Sequence, residues 1–203
     1  MLAASIHLSR GTPYIYMGEE IGMVDPDYDS MEDYVDVESL NAYQSLLTEG
    51  QSSEAAFRII KAKSRDNSRT PMQWDDSVNA GFTTGTPWLK AGKSYPIINV
   101  ENEINGPIFT FYQKLIGLRK ELPIIAEGSY QPAYEDSPQV YAFEREWQGQ
   151  KLLVLNNFYK DPITVDILPD YQNGQVLLSN YGRTQIDHIL TLQPYETLAI
   201  LVN

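Results

Sequence analysis

The spacing of apolar residues predicts helices in the first part of the chain. Between residues 39 and 63, apolar side chains recur every three or four positions, which predicts two short helices separated by Gly50. Residues 108–122 show the same period and predict an amphipathic helix that stops at Pro123. Residues 1–11 look like the body and glycine stop of a helix without an N-cap signal.

Residues 12–18 predict a buried strand, because this short run of aromatic and β-branched residues is bounded by proline and glycine. Glu19 and Glu20 follow at the strand end, where parallel α/β folds and barrels keep their chemistry. Successive residues of an extended chain point to opposite sides, so these two carboxylates cannot act as a catalytic pair. We expect one of them to be a buried hydrogen-bonding group.

Beyond Ile125 the period of the apolar residues changes from that of a helix to that of a strand. A hairpin with its turn at Gln148 and Gly149 opens this part, and further short strands follow between prolines and glycines. The predicted strands are 140–147, 151–155, 163–168, 175–178, 189–192 and 197–202. The pattern predicts an α/β part over residues 1–125 and an antiparallel β-sandwich, all-β, over residues 126–203.

The composition narrows the possible chemistry. The 203 residues carry a net charge of −12, which argues against a nucleic-acid or anionic-membrane partner and favours a neutral or locally steered ligand. There is no cysteine, and two histidines exclude a histidine-rich zinc site, so any catalysis must depend on carboxylates. We expect neither a cofactor nor a metal. With no signal peptide and no run of about 20 apolar residues, we expect a cytoplasmic protein.

The stretch between Gly22 and Asn41 is strongly acidic and rich in turn-forming residues. Its acidic residues do not follow the spacing of a twelve-residue calcium loop, and no glycine lies at its centre. A solvated loop or a lid is therefore favoured over a calcium site.

The most polar stretch, residues 64–74, places Arg65 and Arg69 four positions apart, and Asp66 lies between them in a segment suited to a compact turn. Trp74 is expected to anchor the loop because its large apolar surface favours burial. Two interpretations remain open. The charges could tie a surface loop to its neighbours, or the turn could aim an arginine into a cleft.

Several motifs in order resemble glycoside hydrolase family 13, the α-amylase superfamily, in its α-glucosidase branch. They are residues 11–23, 36–41, 64–74, 79–82 and 111–116. Within the branch, three further segments are most similar to the trehalose-6-phosphate hydrolases, namely 33–38, 61–69 and 156–160. Two alternatives remain. The chain could be part of an oligo-1,6-glucosidase or dextran glucosidase, or it could be a non-catalytic carbohydrate-associated β-sandwich module.

The resemblance implies a (β/α)8 barrel followed by a β-sandwich, of which this chain is the C-terminal part with the last barrel strand and helices. Retaining glycosidases need two carboxylates about 5 to 5.5 Å apart. In this family those groups come from earlier strands, so the resemblance implies that no catalytic residue lies here and that the chain alone is inactive. A barrel strand without neighbours leaves open edges, so we also expect self-association.

The resemblance carries over one substrate-binding residue, Arg65, which matches the arginine that reaches the non-reducing glucose of a disaccharide or oligosaccharide substrate. Asp66 and Arg69 are interpreted as structural support of that site. Lys61 and Lys63 would lie near a substrate phosphate if the substrate is trehalose 6-phosphate.

Overall fold

The computed structural model describes all 203 residues and divides into two compact units. One unit comprises residues 1–14 together with 111–203, and the other comprises residues 15–110. No helix combines the length and the hydropathy that crossing a bilayer requires.

Six α-helices occur along the chain, and the two predicted between residues 39 and 63 are confirmed. The helices are α1 (Leu2–His7), α2 (Val37–Thr48), α3 (Ser53–Lys63), α4 (Val100–Glu103), α5 (Pro107–Glu121) and α6 (Pro123–Glu127). Asp36 caps α2 by accepting from the amide of Ser39, and Ser52 caps α3 in the same way. Gly50 lies between them with φ of +90°, a conformation that favours glycine.

The helix predicted over residues 108–122 is also confirmed, as α5. It ends at Glu121, and Pro123 begins the next helix. Pro123 occupies the first turn of α6, where the missing amide proton of proline costs nothing. The sequence pattern did not predict α4 or α6.

The prediction of a buried strand over residues 12–18 is wrong for this chain. No strand forms there, and the side chains are largely exposed, with Tyr14 at 86% and Tyr16 at 54%. A parallel strand requires neighbouring strands for its backbone hydrogen bonds, and this chain supplies none. Glu20, partly buried, accepts from the amide of Gly18 at 2.8 Å and so closes a local turn.

The antiparallel β-sandwich predicted after residue 125 is confirmed. Its strands are β1 (Gln131–Ala133), β2 (Val140–Trp147), β3 (Gln150–Asn157), β4 (Ile163–Asp166), β5 (Gln175–Ser179), β6 (Ile189–Leu192) and β7 (Thr197–Val202). One sheet has the order β1-β2-β3-β7-β5, and β4 pairs with β6 in a second sheet; every pairing is antiparallel. Gln148 and Gly149 both have positive φ, at 49° and 85°, as the predicted two-residue hairpin turn requires.

The large sheet of this unit is buried on both faces, and β3 shows it best. Leu152 and Val154 pack with Leu8, Leu115 and other residues that include helix side chains. Their neighbours along the strand point the opposite way into a second cluster, which contains residues of the small sheet. This second cluster includes Leu153, Leu155, Val165, Leu190 and Leu192. Strand β3 is therefore the centre of the apolar core.

Candidate functional site

The polar loop begins where α3 ends and turns at once into a short 3-10 helix, Arg65–Ser68. Ser64 starts this turn because its side-chain oxygen accepts from the amide of Asp66 at 3.2 Å. The same oxygen accepts from the hydroxyl of Ser39 at 2.8 Å. The compact turn expected from the sequence is thus present, and Ser64 links it to helix α2.

Asp66 is the fixed point of the loop. Its side chain is fully buried, and Oδ2 accepts from the amides of Val35 and Asp36 at 2.8 and 2.9 Å. A buried carboxylate that receives two backbone hydrogen bonds is held in a single orientation. Asp66 therefore ties the turn to the residues that begin α2.

Arg69 lies between two carboxylates. Its Nη1 is 3.1 Å from Oδ1 of Asp36 and 3.5 Å from Oδ1 of Asp66. Burial raises the pKa of Asp36, but hydrogen bonds from Ser39 and the contact with Arg69 outweigh that effect and lower the pKa overall. Arg69 thus braces the start of α2 against the turn.

Arg65 is held differently. Its side chain is 64% exposed, and its one ion pair joins Nη2 to Oε2 of Glu38 at 2.6 Å, with Glu38 itself 67% exposed. Exposed pairs of this kind contribute little to stability, because water competes with both partners. The guanidinium group of Arg65 can therefore exchange Glu38 for another acceptor at small cost.

Two small cavities adjoin the loop. One, of about 170 Å³, is lined by Arg65, Lys63 and Glu38, among others. The other, of about 210 Å³, is lined by Tyr16, Ser68 and their neighbours. The hydroxyl of Tyr16 donates to the carbonyl of Ser68 at 2.7 Å, which connects the exposed segment 15–17 to the loop.

Lys61 and Lys63, at the end of α3, have different surroundings. Nζ of Lys61 is 2.5 Å from Oδ1 of Asp27, so its charge is already compensated. Lys63 is exposed, and no carboxylate lies within 4 Å of it. The structure brings Lys63, and not Lys61, into the cavity that Arg65 lines.

Lysines pair with several carboxylates of the acidic stretch before α2. Asp27 pairs with Lys61, Asp29 with Lys93 at 2.5 Å, and Asp33 with Lys90. No group of three metal-ligating side chains converges anywhere in the chain. These lysines lie up to 64 residues away in sequence, so no local pattern indicated the pairing.

The anchor of the loop is Gln73, not Trp74 as expected. Trp74 is 50% exposed, whereas the side chain of Gln73 is fully buried. The amide of Gln73 donates to the carbonyl of Ile98 and accepts from the hydroxyl of Ser94 at 3.2 Å. A buried side-chain amide that is hydrogen-bonded at both ends is held in one position and one orientation.

Comparison with known families matches residues 1–128 to the catalytic domain of α-amylases. Residues 140–198 match the C-terminal domain of the α-amylase SusG. The chain belongs to the α-amylase family, glycoside hydrolase family 13. Its fold class is accordingly the end of a (β/α)8 barrel domain followed by an antiparallel β-sandwich, as the resemblance implied.

Similar members of this family come from the α-glucosidase branch. The chain is 43% identical to the trehalose-6-phosphate hydrolase of Bacillus subtilis over 98% of its own length and 36% of the relative's. It is 44% identical to the oligo-1,6-glucosidase of Halalkalibacterium halodurans over 99% of its length and 37% of that relative's. The chain thus spans little more than a third of the family members it matches.

The chain is also similar to solved structures of this family. The crystal structure of the trehalose-6-phosphate hydrolase of Bacillus licheniformis superposes with a TM-score of 0.91 at 44% identity, covering 98% of this chain and 37% of that one. The trehalulose synthase MutB from Pseudomonas mesoacidophila is more distant, at 35% identity and a TM-score of 0.88.

Proposed function

We propose that this chain forms the closing part of a retaining α-glucosidase that hydrolyses trehalose 6-phosphate to glucose and glucose 6-phosphate. The observation that carries the proposal is the 43% identity to the B. subtilis trehalose-6-phosphate hydrolase across 98% of the chain. The B. licheniformis structure, with its TM-score of 0.91 at 44% identity, is consistent with it.

In this proposal Arg65 holds the non-reducing glucose, and the nucleophile and the acid/base carboxylate lie outside this chain. The exposure of Arg65 and its weak pair with Glu38 support the role, because the guanidinium group remains available to a sugar hydroxyl and a carboxylate. Asp66 and Arg69 keep the turn rigid, so that a forked donor is presented in one orientation.

The remaining expectations belong to the same proposal. A domain boundary between residues 125 and 126 is supported by the two family matches, of which one ends at 128 and the other begins at 140. The substrate is a disaccharide or oligosaccharide, the compartment is the cytoplasm, and the isolated chain self-associates through its exposed segment 14–17.

An oligo-1,6-glucosidase is the second candidate, favoured by the 44% identity to the H. halodurans enzyme. The two functions differ in whether the substrate carries a phosphate. Lys63, the last residue of α3, lines the cavity of Arg65 and has no carboxylate partner, so its ammonium group is available to a phosphate.

A chimeric enzyme tests the proposal. This chain would replace the matching third of the B. subtilis hydrolase, and hydrolysis of trehalose 6-phosphate and of isomaltose would be measured. The change Arg65→Ala is expected to raise KM for the preferred substrate about tenfold or more, since a charged hydrogen bond is lost. Arg58→Ala is the matched control, because Arg58 is exposed on α3 and forms no ion pair.

Three outcomes would contradict parts of the proposal. Cleavage of isomaltose without cleavage of trehalose 6-phosphate would favour the second candidate. Equal kinetics for the two arginine variants would remove Arg65 from the substrate site. Turnover by this chain on its own would show that the catalytic carboxylates lie within it.

A further inference from the structure

A layer of buried polar side chains crosses one end of the β-sandwich. Asn156, Asn157, Glu196 and Thr197 are all fully buried at the adjoining ends of β3 and β7. The hydroxyl of Thr197 donates to Oδ1 of Asn156 at 2.7 Å. Such groups lower stability unless every one is hydrogen-bonded, and here they are satisfied by the loops around them.

This layer locks three loops together. Asn157 donates to the carbonyls of Asp161 and Gln193 at 2.9 and 2.8 Å, and its own oxygen accepts from the amide of Tyr159 at 3.0 Å. The loop that contains residue 180 joins it, because Oδ1 of Asn180 accepts from the amide of Thr197 at 2.8 Å.

An ion pair between fully buried Glu196 and partly exposed Arg183 reinforces the same loops. Glu196 binds Arg183 with both oxygens, at 2.5 Å to Nε and 3.1 Å to Nη2. One of these oxygens also accepts from the amide of Gln193 at 2.7 Å. A planar, two-point contact of this kind fixes orientation as well as position. The loop tips are thus positioned by buried groups, not by their own surface contacts.

Three tyrosines stand on these fixed loops, and together they form what we call the tyrosine platform: Tyr159, Tyr181 and Tyr195. Each is half exposed, at 50%, 50% and 51%. The amide of Tyr195 donates to the carbonyl of Tyr159 at 3.1 Å, and the hydroxyl of Tyr181 donates to the carbonyl of Pro194 at 2.8 Å. These bonds join the loops that carry the three residues, and each side chain is half exposed.

The backbone at Tyr195 is strained, with φ of +54°, a conformation that a bulky side chain rarely adopts. Strain of this kind persists where the surroundings enforce it, and it often accompanies a functional role. Here it holds an aromatic ring half in solvent, where the ring gains little from burial.

The chemistry of the platform suits a neutral sugar. A hexopyranose has an apolar face of C–H groups and an edge of hydroxyls, and a phenol offers a matching apolar ring and a polar tip. Rigid tyrosines also lose little conformational entropy on binding. The local charges cancel, because Lys160 is next to Asp161 and Arg183 is paired with Glu196, although the chain carries a net charge of −12.

We propose that the tyrosine platform is a carbohydrate-binding surface for neutral oligosaccharides, separate from the Arg65 loop. The inference does not depend on the proposed hydrolase activity. Binding here requires neither a catalytic group nor a phosphate, since ring stacking and hydroxyl contacts supply the recognition.

The test is a titration of this chain with maltoheptaose, followed by NMR shifts of backbone amides and by calorimetry. Shifts are expected in loops 157–161, 180–183 and 193–197. Tyr159→Ala and Tyr195→Asn should each weaken binding about threefold or more, whereas Tyr159→Phe should retain it because the ring carries the contact. Asparagine tolerates the left-handed backbone of residue 195, so that variant keeps the loop folded.

Tyr14→Ala is the control, since Tyr14 is the most exposed tyrosine and lies outside the platform. It should leave binding unchanged. Three results would overturn the proposal: no shift in the three loops at millimolar sugar, equal binding by Tyr159→Ala and the unaltered chain, or self-association that the platform variants abolish while sugar binding is absent. The last result would assign the surface to a protein contact.

Discussion

The β-sandwich and the Arg65 loop hold their residues in place by opposite means. In the sandwich, β3 buries apolar side chains on both faces, and Leu152, Leu153, Val154 and Leu155 are all fully buried. Around the loop, the order comes from a buried carboxylate, capping hydroxyls and ion pairs. Apolar burial is spread over many contacts, whereas the loop depends on a few directed bonds.

This difference separates stability from function. The proposed role of Arg65 requires a guanidinium group that can exchange partners, and Arg65 stands exposed on a turn that other polar groups hold. A few directed hydrogen bonds fix the geometry of the loop but add little to the stability of the fold. Packed strands contribute most of the stability and leave their side chains little room to move.

The largest effect is expected in the sandwich. Leu153→Ala removes a fully buried side chain from the centre of β3, and it should lower the free energy of unfolding by about 2–5 kcal/mol, because a cavity remains in a close-packed core. Urea denaturation measures this loss. Ile189→Ala, at a side chain 64% exposed, should cost about 0.5 kcal/mol or less. Similar losses of unfolding free energy for both variants would show that burial in β3 contributes no more than an exposed position.

The next effect belongs to the loop. Asp66→Ala leaves the amides of Val35 and Asp36 without their acceptor, and it should lower the free energy of unfolding by about 1.5–3 kcal/mol, the range for a hydrogen bond to a charged group. Hydrogen exchange at those two amides should quicken while β3 keeps its protection. Asp76→Ala is the control, since Asp76 is exposed and forms no ion pair. Unchanged exchange at Val35 would show that Asp66 does not hold the loop.

Lowering the pH should destabilise the acidic stretch before α2 at a higher pH than it destabilises the large sheet. The hydrogen bond from Lys61 lowers the pKa of Asp27, and that from Lys90 lowers the pKa of Asp33. A lowered folded-state pKa stabilises the fold above the unfolded value of about 3.9 and ceases to do so as the pH falls through the folded value.

NMR between pH 6 and pH 2.5 should therefore show residues 25–36 losing hydrogen-exchange protection while β3 keeps its own. Lys90→Gln should shift the Asp33 transition to higher pH. Sodium chloride at about 1 M should weaken the same pairs at neutral pH. Simultaneous loss of β3 and residues 25–36 would contradict separate stabilisation of the two regions.

The smallest effect is expected at Arg65 itself. Arg65→Ala removes an exposed ion pair, so stability should change by about 0.5 kcal/mol or less, because such pairs are solvent-screened. Arg69→Ala should destabilise more, since it leaves Asp66 without its cation. Thermal melting compares the two. A larger loss for Arg65 would make it a structural residue and weaken its proposed role in binding.

Local patterns explain which features the sequence could predict. Helices α2 and α3 were predictable because apolar spacing and Gly50 agree, and the strands after residue 139 follow alternation and turn residues. The turn at Arg65 was predictable because the polar residues after Ser64 are ones that favour compact turns. Residues 12–18 were not, because their strand-like pattern needs partner strands that this chain does not contain.

Long-range partners explain what was missed in the candidate site. Nothing near Asp66 in sequence indicates that the amide of Val35, 31 residues earlier, donates to its carboxylate. The preference for Trp74 over Gln73 as the anchor followed from apolar surface alone, whereas burial of Gln73 depends on Ile98 and Ser94. Polar burial is decided by such distant partners, and no periodic signal records them.

Under the proposed function, the exposed aromatic segment 14–17 would make this chain the smaller part of a split enzyme. The segment forms no strand and exposes its tyrosines, so a complementary polypeptide could pair with its backbone. Co-expression with the first two thirds of the B. subtilis relative would then turn reassembly into a colour signal on a chromogenic glucoside. The segment that forms no strand in this chain would then form the contact between the two parts of the reporter.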